Sequence, residues 1–205
     1  YFEPWATNAY QSERYRNCKP HYQSRKKDLA KNLKEGDRVL VVSSLYNYFG
    51  KNPTERSARQ IADGYRNAVL DLAKVVESRG ARLLLMTPLP SFPQTSITFP
   101  LSLCRQEWFR PSWAIPSACR PVLVERSQEL ARTSYLRRLQ NELTKRSKAI
   151  DSFDPFPAIC PAENQKCSNH HGSLLLFSDG SHLTSEGALR LDRSFADTLR
   201  ASNQL

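Results

Sequence analysis

The sequence lacks any apolar run of the roughly 18 to 20 residues that a bilayer-spanning helix needs, and it does not open with a signal peptide. It contains no internal repeat and no low-complexity tract. Glycine is scarce, with seven residues against thirteen prolines, and a hydrophobic fraction of 40% does not indicate disorder. We therefore expect one globular domain over residues 1–205, of α/β or α+β composition, with loops stiffened by proline.

A pattern for nucleic-acid binding is also missing, although the chain carries a net charge of +10. The basic runs Arg25-Lys26-Lys27 and Arg137-Arg138 lie in segments that resemble amphipathic helices, where Lys and Arg form the solvated face. No aromatic-studded RNA-binding strand or recognition helix accompanies them. We expect no nucleic-acid partner, and an anionic polysaccharide or a membrane surface fits the charge equally well.

Five cysteines are present. Cys104 and Cys119 bracket one proline-rich loop and Cys160 and Cys167 bracket a shorter one, so we expect two loop-closing disulfides. Such bonds persist in oxidising compartments, which favours a periplasmic or extracellular location. Cys18 then has no partner: it is a free thiol, or it pairs with a residue upstream of this chain, and we favour the second.

A zinc site is the competing interpretation of the second cysteine pair. Cys160, Cys167, His170 and His171 offer suitable ligand atoms, but six residues separate the two cysteines, where zinc sites usually have about two to four. We interpret His170 and His171 as exposed loop residues instead. No metal is expected.

Short apolar runs alternate with amphipathic helical patterns from residue 37 onward. Unbroken apolar runs predict buried strands, and apolar residues three and four positions apart predict the helices between them. The order strand, helix, strand forms a βαβ unit, so we expect a parallel sheet. The predicted strands are 37–44, 82–87, 149–153 and 174–177; the predicted helices are 56–79, stopped by Gly80, 122–148, and a last helix with Thr184 as its N-cap.

The predicted helices each carry an apolar face. These faces comprise Ile61, Tyr65, Val69, Leu72 and Val76 in the first helix, Leu136, Leu139 and Leu143 in the second, and Ala188, Leu191, Phe195 and Leu199 in the last. Residues 88–121 interrupt the alternation with many prolines and form a long excursion at the end of a strand. Ligand sites favour that position.

Asp179 and His182 lie on a turn between an apolar strand and the last helix. This spacing lets a carboxylate and an imidazole converge on a neighbouring pocket. A hydroxyl nucleophile needs a base to accept its proton, and the base needs an acid partner that fixes its tautomer and stabilises the imidazolium. Taken alone, the four residues are better explained by a helix-capping Asp beside a surface His. The choice between this interpretation and a catalytic pair therefore depends on the surrounding sequence.

The segment 178–188, with the sequence SDGSHLTSEGA, resembles the last conserved block of the SGNH/GDSL hydrolases, in which Asp-x-x-His-Leu-[Ser/Thr]-x-x-Gly-Ala precedes the terminal helix. More specifically, the chain resembles the SGNH domain fused to the C-terminus of acyltransferase-3 family membrane O-acyltransferases. Their periplasmic domains have a cysteine-closed loop before this block, and residues 154–167 fit that arrangement. In architecture the resemblance covers roughly residues 37–200.

The resemblance implies a three-layer α/β/α sandwich with a parallel sheet, the flavodoxin-like SGNH-hydrolase fold, with Asp179 and His182 as the catalytic acid and base. The family's serine lies in a Gly-Asp-Ser segment just after the first, central strand, and no such segment occurs here. We therefore expect an N-terminally truncated domain that lacks its first strand, with the nucleophile upstream of Tyr1. Residues 1–36 would be an irregular or helical lead-in and residues 37–200 the α/β core.

An oxyanion donor is expected just beyond the strand 37–44, because the family often uses an Asn and a Gly beyond the middle strands. Asn47 is our candidate, and a preorganised amide contributes about 3 to 4 kcal/mol to catalysis. Asn47 is alternatively a turn residue, since Asn is favoured in tight turns and the family's Gly-x-Asn-Asp form is absent. Ser43 and Ser44 are not assigned as nucleophiles, because serine at a strand end is more often a structural hydrogen-bonding residue.

The resemblance implies O-acyl transfer or ester hydrolysis on cell-surface carbohydrate by the periplasmic module of a membrane O-acyltransferase. The expected partners are an O-acyl carbohydrate or acyl-accepting glycan and a membrane acyltransferase domain in the same chain, and no cofactor is required. The alternative is a non-catalytic glycan-binding module that keeps the scaffold without its nucleophile. A Gly-Asp-Ser segment after an upstream apolar strand would distinguish the two.

Overall fold

The computed structural model describes residues 13–43, 55–93, 95, 101–104 and 111–202. The contacts within the chain separate two compact units. The first unit comprises Tyr1–Pro88 and Arg132–Phe153, and the second comprises Leu89–Ala131 and Asp154–Leu205. The expectation of a single domain over residues 1–205 stays a prediction.

The described residues contain five α-helices and seven short strands. The helices are α1 (Glu13–Asn32), α2 (Glu55–Glu77), α3 (Arg126–Arg146), α4 (Phe156–Ile159) and α5 (Ser185–Ser202). The strands are β1 (Arg38–Val41), β2 (Arg82–Met86), β3 (Leu123–Glu125), β4 (Ile150–Phe153), β5 (Lys166–Ser168), β6 (His170–His171) and β7 (Leu174–Leu175). In the part of the chain that the structure describes, no helix has an apolar stretch that would span a bilayer.

A parallel sheet with the strand order β1-β2-β4 lies in the first unit. Val39 is opposite Leu83, and Leu83 is opposite Ile150. Leu83, Leu84 and Leu85 of the central strand are each at most 1% exposed. Because successive side chains of a strand point to opposite faces, both faces of β2 are covered, as parallel sheets require. The α/β fold class with a parallel sheet is confirmed.

Helices α2 and α3 pack in the first unit through the apolar faces that the sequence predicted. In one apolar cluster these side chains join Leu83, Leu85 and Ile150 of the sheet; its helical members include Ile61, Tyr65, Val69 and Val76 of α2 and Leu136, Leu139 and Leu143 of α3, with Leu72 partly buried against them. Helix α2 ends at Glu77. Gly80 follows with a φ of +64°, a left-handed conformation that glycine adopts readily, so the predicted helix stop is also observed.

The second unit differs from the sequence prediction at two elements. The helix expected over 122–148 begins only at Arg126, because Leu123–Glu125 form β3 and pair antiparallel with Lys166–Ser168. The strand expected over 174–177 is reduced to β7, which pairs antiparallel with β6. The partner of β3 is remote in sequence, and β7 pairs in a two-stranded sheet that is separate from the parallel one. Local apolar spacing reveals neither pairing.

Both expected disulfides are formed, and both lie in the second unit. Cys104 and Cys119 are joined with a Cα–Cα distance of 5.3 Å, and Cys160 and Cys167 with 4.9 Å. Leu175 packs against the first bridge. The zinc alternative fails because the sulfur atoms of Cys160 and Cys167 are bonded to each other.

Candidate active site

The segment that carries Asp179 and His182 is a closed loop. Phe177 and Leu183 form an isolated antiparallel bridge at its base. Inside that bridge, the Ser178 backbone N–H donates to the His182 carbonyl at 2.9 Å, and the Ser178 hydroxyl donates to the same oxygen at 3.2 Å. The residues between Ser178 and His182 are therefore held in one tight turn.

The carboxylate of Asp179 is oriented by the loop's own backbone. Its Oδ1 accepts hydrogen bonds from the N–H of Ser181 at 2.7 Å and of His182 at 2.8 Å. The first is the Asx-turn bond that makes Asp favourable in turns. Its Oδ2 lies 2.7 Å from Nδ1 of His182. One oxygen thus fixes the carboxylate, and the other is left to pair with the imidazole.

This contact determines which imidazole nitrogen is available for chemistry. A carboxylate oxygen only accepts hydrogen bonds, so a neutral His182 carries its proton on Nδ1, and Nε2 is the nitrogen with a lone pair. Hydrogen bonding to Asp179 also stabilises the imidazolium that forms when Nε2 takes a proton. The pair therefore has the acid–base arrangement that a hydroxyl nucleophile requires.

The charge of Asp179 and the exposure of both side chains are consistent with an acid–base pair. Partial burial by itself raises the pKa of Asp179, but the hydrogen bonds from the Ser181 and His182 N–H groups and from the His182 ring together hold that pKa below its ordinary value of 3.8. Asp179 is therefore ionised at neutral pH. The side chains of His182 and Asp179 are 64% and 45% exposed, so the pair is accessible to solvent.

Thr184 connects the loop to α5. Its hydroxyl oxygen accepts the N–H of Gly187 at 3.0 Å, which is the expected N-cap bond, and the hydroxyl donates to the Leu175 carbonyl at 2.7 Å. The Thr184 N–H donates to the Leu176 carbonyl at 2.9 Å. The start of α5 is thus tied to the segment that leads into the loop, and the predicted N-cap is confirmed.

Gly187 lies where only glycine fits. A Cβ atom there would be 2.1 Å from the Leu176 carbonyl oxygen and 2.9 Å from Cδ2 of Leu183. The expectation that Ala188 belongs to the apolar, buried face of this helix is wrong: Ala188 is exposed, while Gly187 and Leu191 are buried. The helix can approach the base of the loop this closely because residue 187 has no side chain.

Residues of the proline-rich excursion contact the loop from outside. The Ser91 hydroxyl and the Phe92 N–H both donate to the Gly180 carbonyl, at 3.0 and 2.9 Å. The ring of Phe92 packs on that of Phe177 with centroids 4.8 Å apart. The sequence indicated the excursion as favourable for a site but not these residues, because no local pattern distinguishes one serine in a proline-rich stretch.

Asn169 is a buried hydrogen-bonding centre that the sequence analysis also missed. Its side chain accepts the Val122 N–H at 2.7 Å and donates to the Thr95 hydroxyl at 2.9 Å. Its carbonyl accepts the Leu176 N–H at 2.8 Å. Asn169 therefore joins three separate segments of the second unit, including the one that enters the loop.

The interpretation of His170 as an exposed loop residue is wrong. His170 is half-buried in β6, and its Nδ1 lies 2.8 Å from Oδ1 of Asn169. Burial lowers the pKa of His170 below 6.5, although a hydrogen bond to the Cys119 backbone opposes that shift. His171 is exposed as expected, but it too lies in β6.

The remaining positions named from the sequence precede residue 50. Asn47, the candidate oxyanion donor, lies outside the described residues. Cys18 lies in α1, and its side chain is outside the described part. Ser43 is buried beyond β1, with 6% exposure. The nucleophile upstream of Tyr1 stays a prediction, and no Gly-Asp-Ser segment occurs in the 205 residues.

The chain matches the sequence model of one known protein family. A family model described as the SGNH domain fused to AT3 (acyltransferase-3) domains matches residues 3–197. A comparison with curated proteins gave no match. The family match includes the loop of Asp179 and His182, the cap at Thr184 and both disulfides. Because it extends over nearly the whole length, the chain belongs to the family of SGNH domains that are fused to AT3 domains.

Proposed function

We propose that the chain is the catalytic SGNH module of a membrane O-acyltransferase, and that it transfers or hydrolyses O-acyl groups on cell-surface carbohydrate. One observation carries the proposal: Nδ1 of His182 lies 2.7 Å from Oδ2 of Asp179, within the sequence block that resembles the acid–base block of SGNH hydrolases. Membership of a family fused to AT3 domains supports the acyl-transfer context.

The proposed reaction has two acyl-transfer steps. A serine Oγ attacks the acyl carbonyl carbon of the donor while its proton passes to Nε2 of His182. The imidazolium, paired with Asp179, then protonates the leaving oxygen, and a serine acyl ester remains. In the second step Nε2 takes a proton from a sugar hydroxyl or from water, and that oxygen attacks the acyl ester. The bond between the acyl carbon and the serine Oγ then breaks, and the imidazolium returns its proton to the serine Oγ.

The serine and the oxyanion donor are the further parts that this mechanism needs. We propose that the serine lies in a Gly-Asp-Ser segment of the polypeptide upstream of Tyr1, as the resemblance implies. Asn47 is the proposed oxyanion donor. Its side-chain N–H would stabilise negative charge on the acyl oxygen, an interaction worth about 3 to 4 kcal/mol in known sites.

The exposure of the pair favours a large, accessible substrate. The side chain of His182 is 64% exposed, so Nε2 can be reached by a hydroxyl that projects from a polymer. Two disulfides in one chain favour an oxidising compartment, because cytosolic thiols are kept reduced. We therefore propose a periplasmic or extracytoplasmic position and a membrane acyltransferase domain in the same polypeptide as the source of the acyl group.

The test uses the complete polypeptide and hydrolysis of an aryl acetate. His182→Ala removes the proton acceptor and is expected to abolish turnover, and Asp179→Asn should lower kcat by about 10³- to 10⁴-fold, because the imidazole loses its tautomer and its counter-charge. His171→Ala is the matched control, since His171 is an exposed histidine outside the pair. Circular dichroism establishes that each variant is folded.

Two results would contradict the proposal. Unchanged hydrolysis in His182→Ala would exclude this histidine as the base. A wild-type protein that binds O-acetylated polysaccharide, but neither hydrolyses nor transfers acyl groups, would establish the glycan-binding alternative. That alternative rests on the absence of Gly-Asp-Ser from residues 1–205.

A further inference from the structure

The peptide unit between Gly180 and Ser181 is held at both of its polar ends. At one end, the Gly180 carbonyl accepts hydrogen bonds from the Ser91 hydroxyl at 3.0 Å and the Phe92 N–H at 2.9 Å. At the other end, the Ser181 N–H donates to Oδ1 of Asp179 at 2.7 Å. One rigid, planar group therefore links residues 91–92 to the carboxylate that orients His182.

Ser91 is itself anchored by a buried carboxylate. Its backbone N–H donates to Oε2 of Glu129 at 2.8 Å, and Glu129 is only 8% exposed. Glu129 lies near the start of α3, in the part of that helix that belongs to the second unit. This hydrogen bond to the Glu129 side chain fixes the position of the Ser91 backbone.

The other end of the same segment is anchored too. The Thr95 N–H donates to the Phe92 carbonyl at 2.8 Å, and the Thr95 hydroxyl accepts from the buried Asn169 at 2.9 Å. Asn169 in turn accepts the Leu176 N–H at 2.8 Å, immediately before the loop. Ser91, Phe92 and Thr95 thus connect Gly180 with the segment that enters the loop.

We propose that Ser91 is a positioning residue, which orients Asp179 and His182 through the Gly180–Ser181 peptide. Hydrogen bonds accepted at a carbonyl polarise the peptide group and make its N–H a stronger donor. The Ser181 N–H then holds Asp179 with Oδ2 directed at Nδ1 of His182. This inference rests on the proposed function only where it concerns rate; the geometric effect on the pair does not depend on it.

The first experiment measures the pair directly by nuclear magnetic resonance. The protein has four histidines, so the ¹⁵N signals of His182 are assigned with His182→Gln. Ser91→Ala removes one of the two donors to Gly180. The expected results are a smaller population of the Nδ1–H tautomer of His182 and a rise in the pKa of Asp179, because its N–H donor weakens.

Two further variants separate positioning from a general structural loss. Ser91→Thr keeps the hydroxyl and should restore the wild-type tautomer population. Ser194→Ala removes a half-buried hydroxyl that donates to the Leu191 carbonyl within α5, and it should change neither readout. If Ser91→Ala does not fold, Ser91→Cys gives the same comparison, because a thiol has similar shape and is a weaker donor.

The second experiment measures aryl acetate hydrolysis by the complete polypeptide. Ser91→Ala should lower kcat about fivefold, the equivalent of one hydrogen bond, with little change in KM, since the proposed role of Ser91 acts through the Gly180–Ser181 peptide. A wild-type tautomer population and Asp179 pKa in Ser91→Ala would overturn the positioning role. Failure of the proposed function is a different result, namely full activity in His182→Ala.

Discussion

Replacing Gly187 with alanine tests whether close packing of α5 on the loop's base outweighs helix propensity. Alanine is favoured over glycine inside a helix by about 1 kcal/mol, so propensity alone predicts a more stable protein. The structure predicts the opposite. The new Cβ would lie 2.1 Å from the Leu176 carbonyl oxygen, less than any real contact between a carbon and an oxygen, so helix and carbonyl must separate.

The cost follows from what that separation breaks. Overpacking a buried site costs about 1 to 3 kcal/mol. The Leu176 oxygen also accepts the Thr184 N–H at 2.9 Å, and both residues are at most 5% exposed. Losing a buried hydrogen bond costs a further 1 to 3 kcal/mol or so. After subtracting the gain from propensity, we expect the free energy of unfolding of Gly187→Ala to fall by about 1 to 5 kcal/mol.

Urea unfolding followed by circular dichroism measures this change. The variant should also lose the wild-type signals of His182, because the displaced carbonyl lies at the entry to its loop. Leu183→Ala supplies a second comparison, since it removes the side chain 2.9 Å from the new Cβ but leaves the carbonyl. If the carbonyl dominates, Gly187→Ala costs the same in both backgrounds. A Gly187→Ala protein as stable as the wild type would refute the packing argument.

Two further predictions concern the second unit. Thr184→Val keeps the side-chain shape but removes both the acceptor for the Gly187 N–H and the donor to the Leu175 carbonyl, so urea unfolding should show a loss of about 1 to 2 kcal/mol; an unchanged midpoint and slope would be inconsistent with the cap. Burial lowers the pKa of His170 below 6.5, against the opposing Cys119 hydrogen bond, so the folded protein binds this proton more weakly than the unfolded chain. The stability from neutral His170 is therefore complete above about pH 6.5 and is lost as the pH falls toward the lowered pKa. His170→Gln should reduce the fall in the free energy of unfolding between about pH 7.5 and 5, and equal slopes in both proteins would contradict this assignment.

Much of the first unit could be predicted because its signals are local. The leucine run in β2 and the spacing of Tyr65, Val69 and Val76 in α2 each mark a buried face within one element, and the structure buries them. The antiparallel pairs β3–β5 and β6–β7 could not be predicted in this way. A strand of two or three residues is specified by its hydrogen-bonding partner, and that partner is not encoded in the strand's own spacing.

In the candidate site, too, the local features could be predicted from the sequence and the contacts with remote residues could not. Asp179 and His182 are three residues apart, and an Asx turn brings their side chains together within one short segment, so their sequence block was sufficient to propose the pair. The contribution of Ser91 was not predictable, because it depends on a carbonyl 89 residues away in the chain. The same holds for Asn169, which bonds to Thr95 across 74 residues.

The sequence by itself determined the fold class, the family resemblance, the two disulfide pairs and the identity of the acid–base pair as a proposal, since each rests on local spacing or on a contiguous motif. Only the tertiary structure decided which nitrogen of His182 faces Asp179, why position 187 must be glycine, and which remote residues hold the loop. Those features are set by contacts of about 3 Å or less, some within the loop and some between segments far apart in the chain, and a hydrogen bond or a steric contact at that range exists only after the chain has folded.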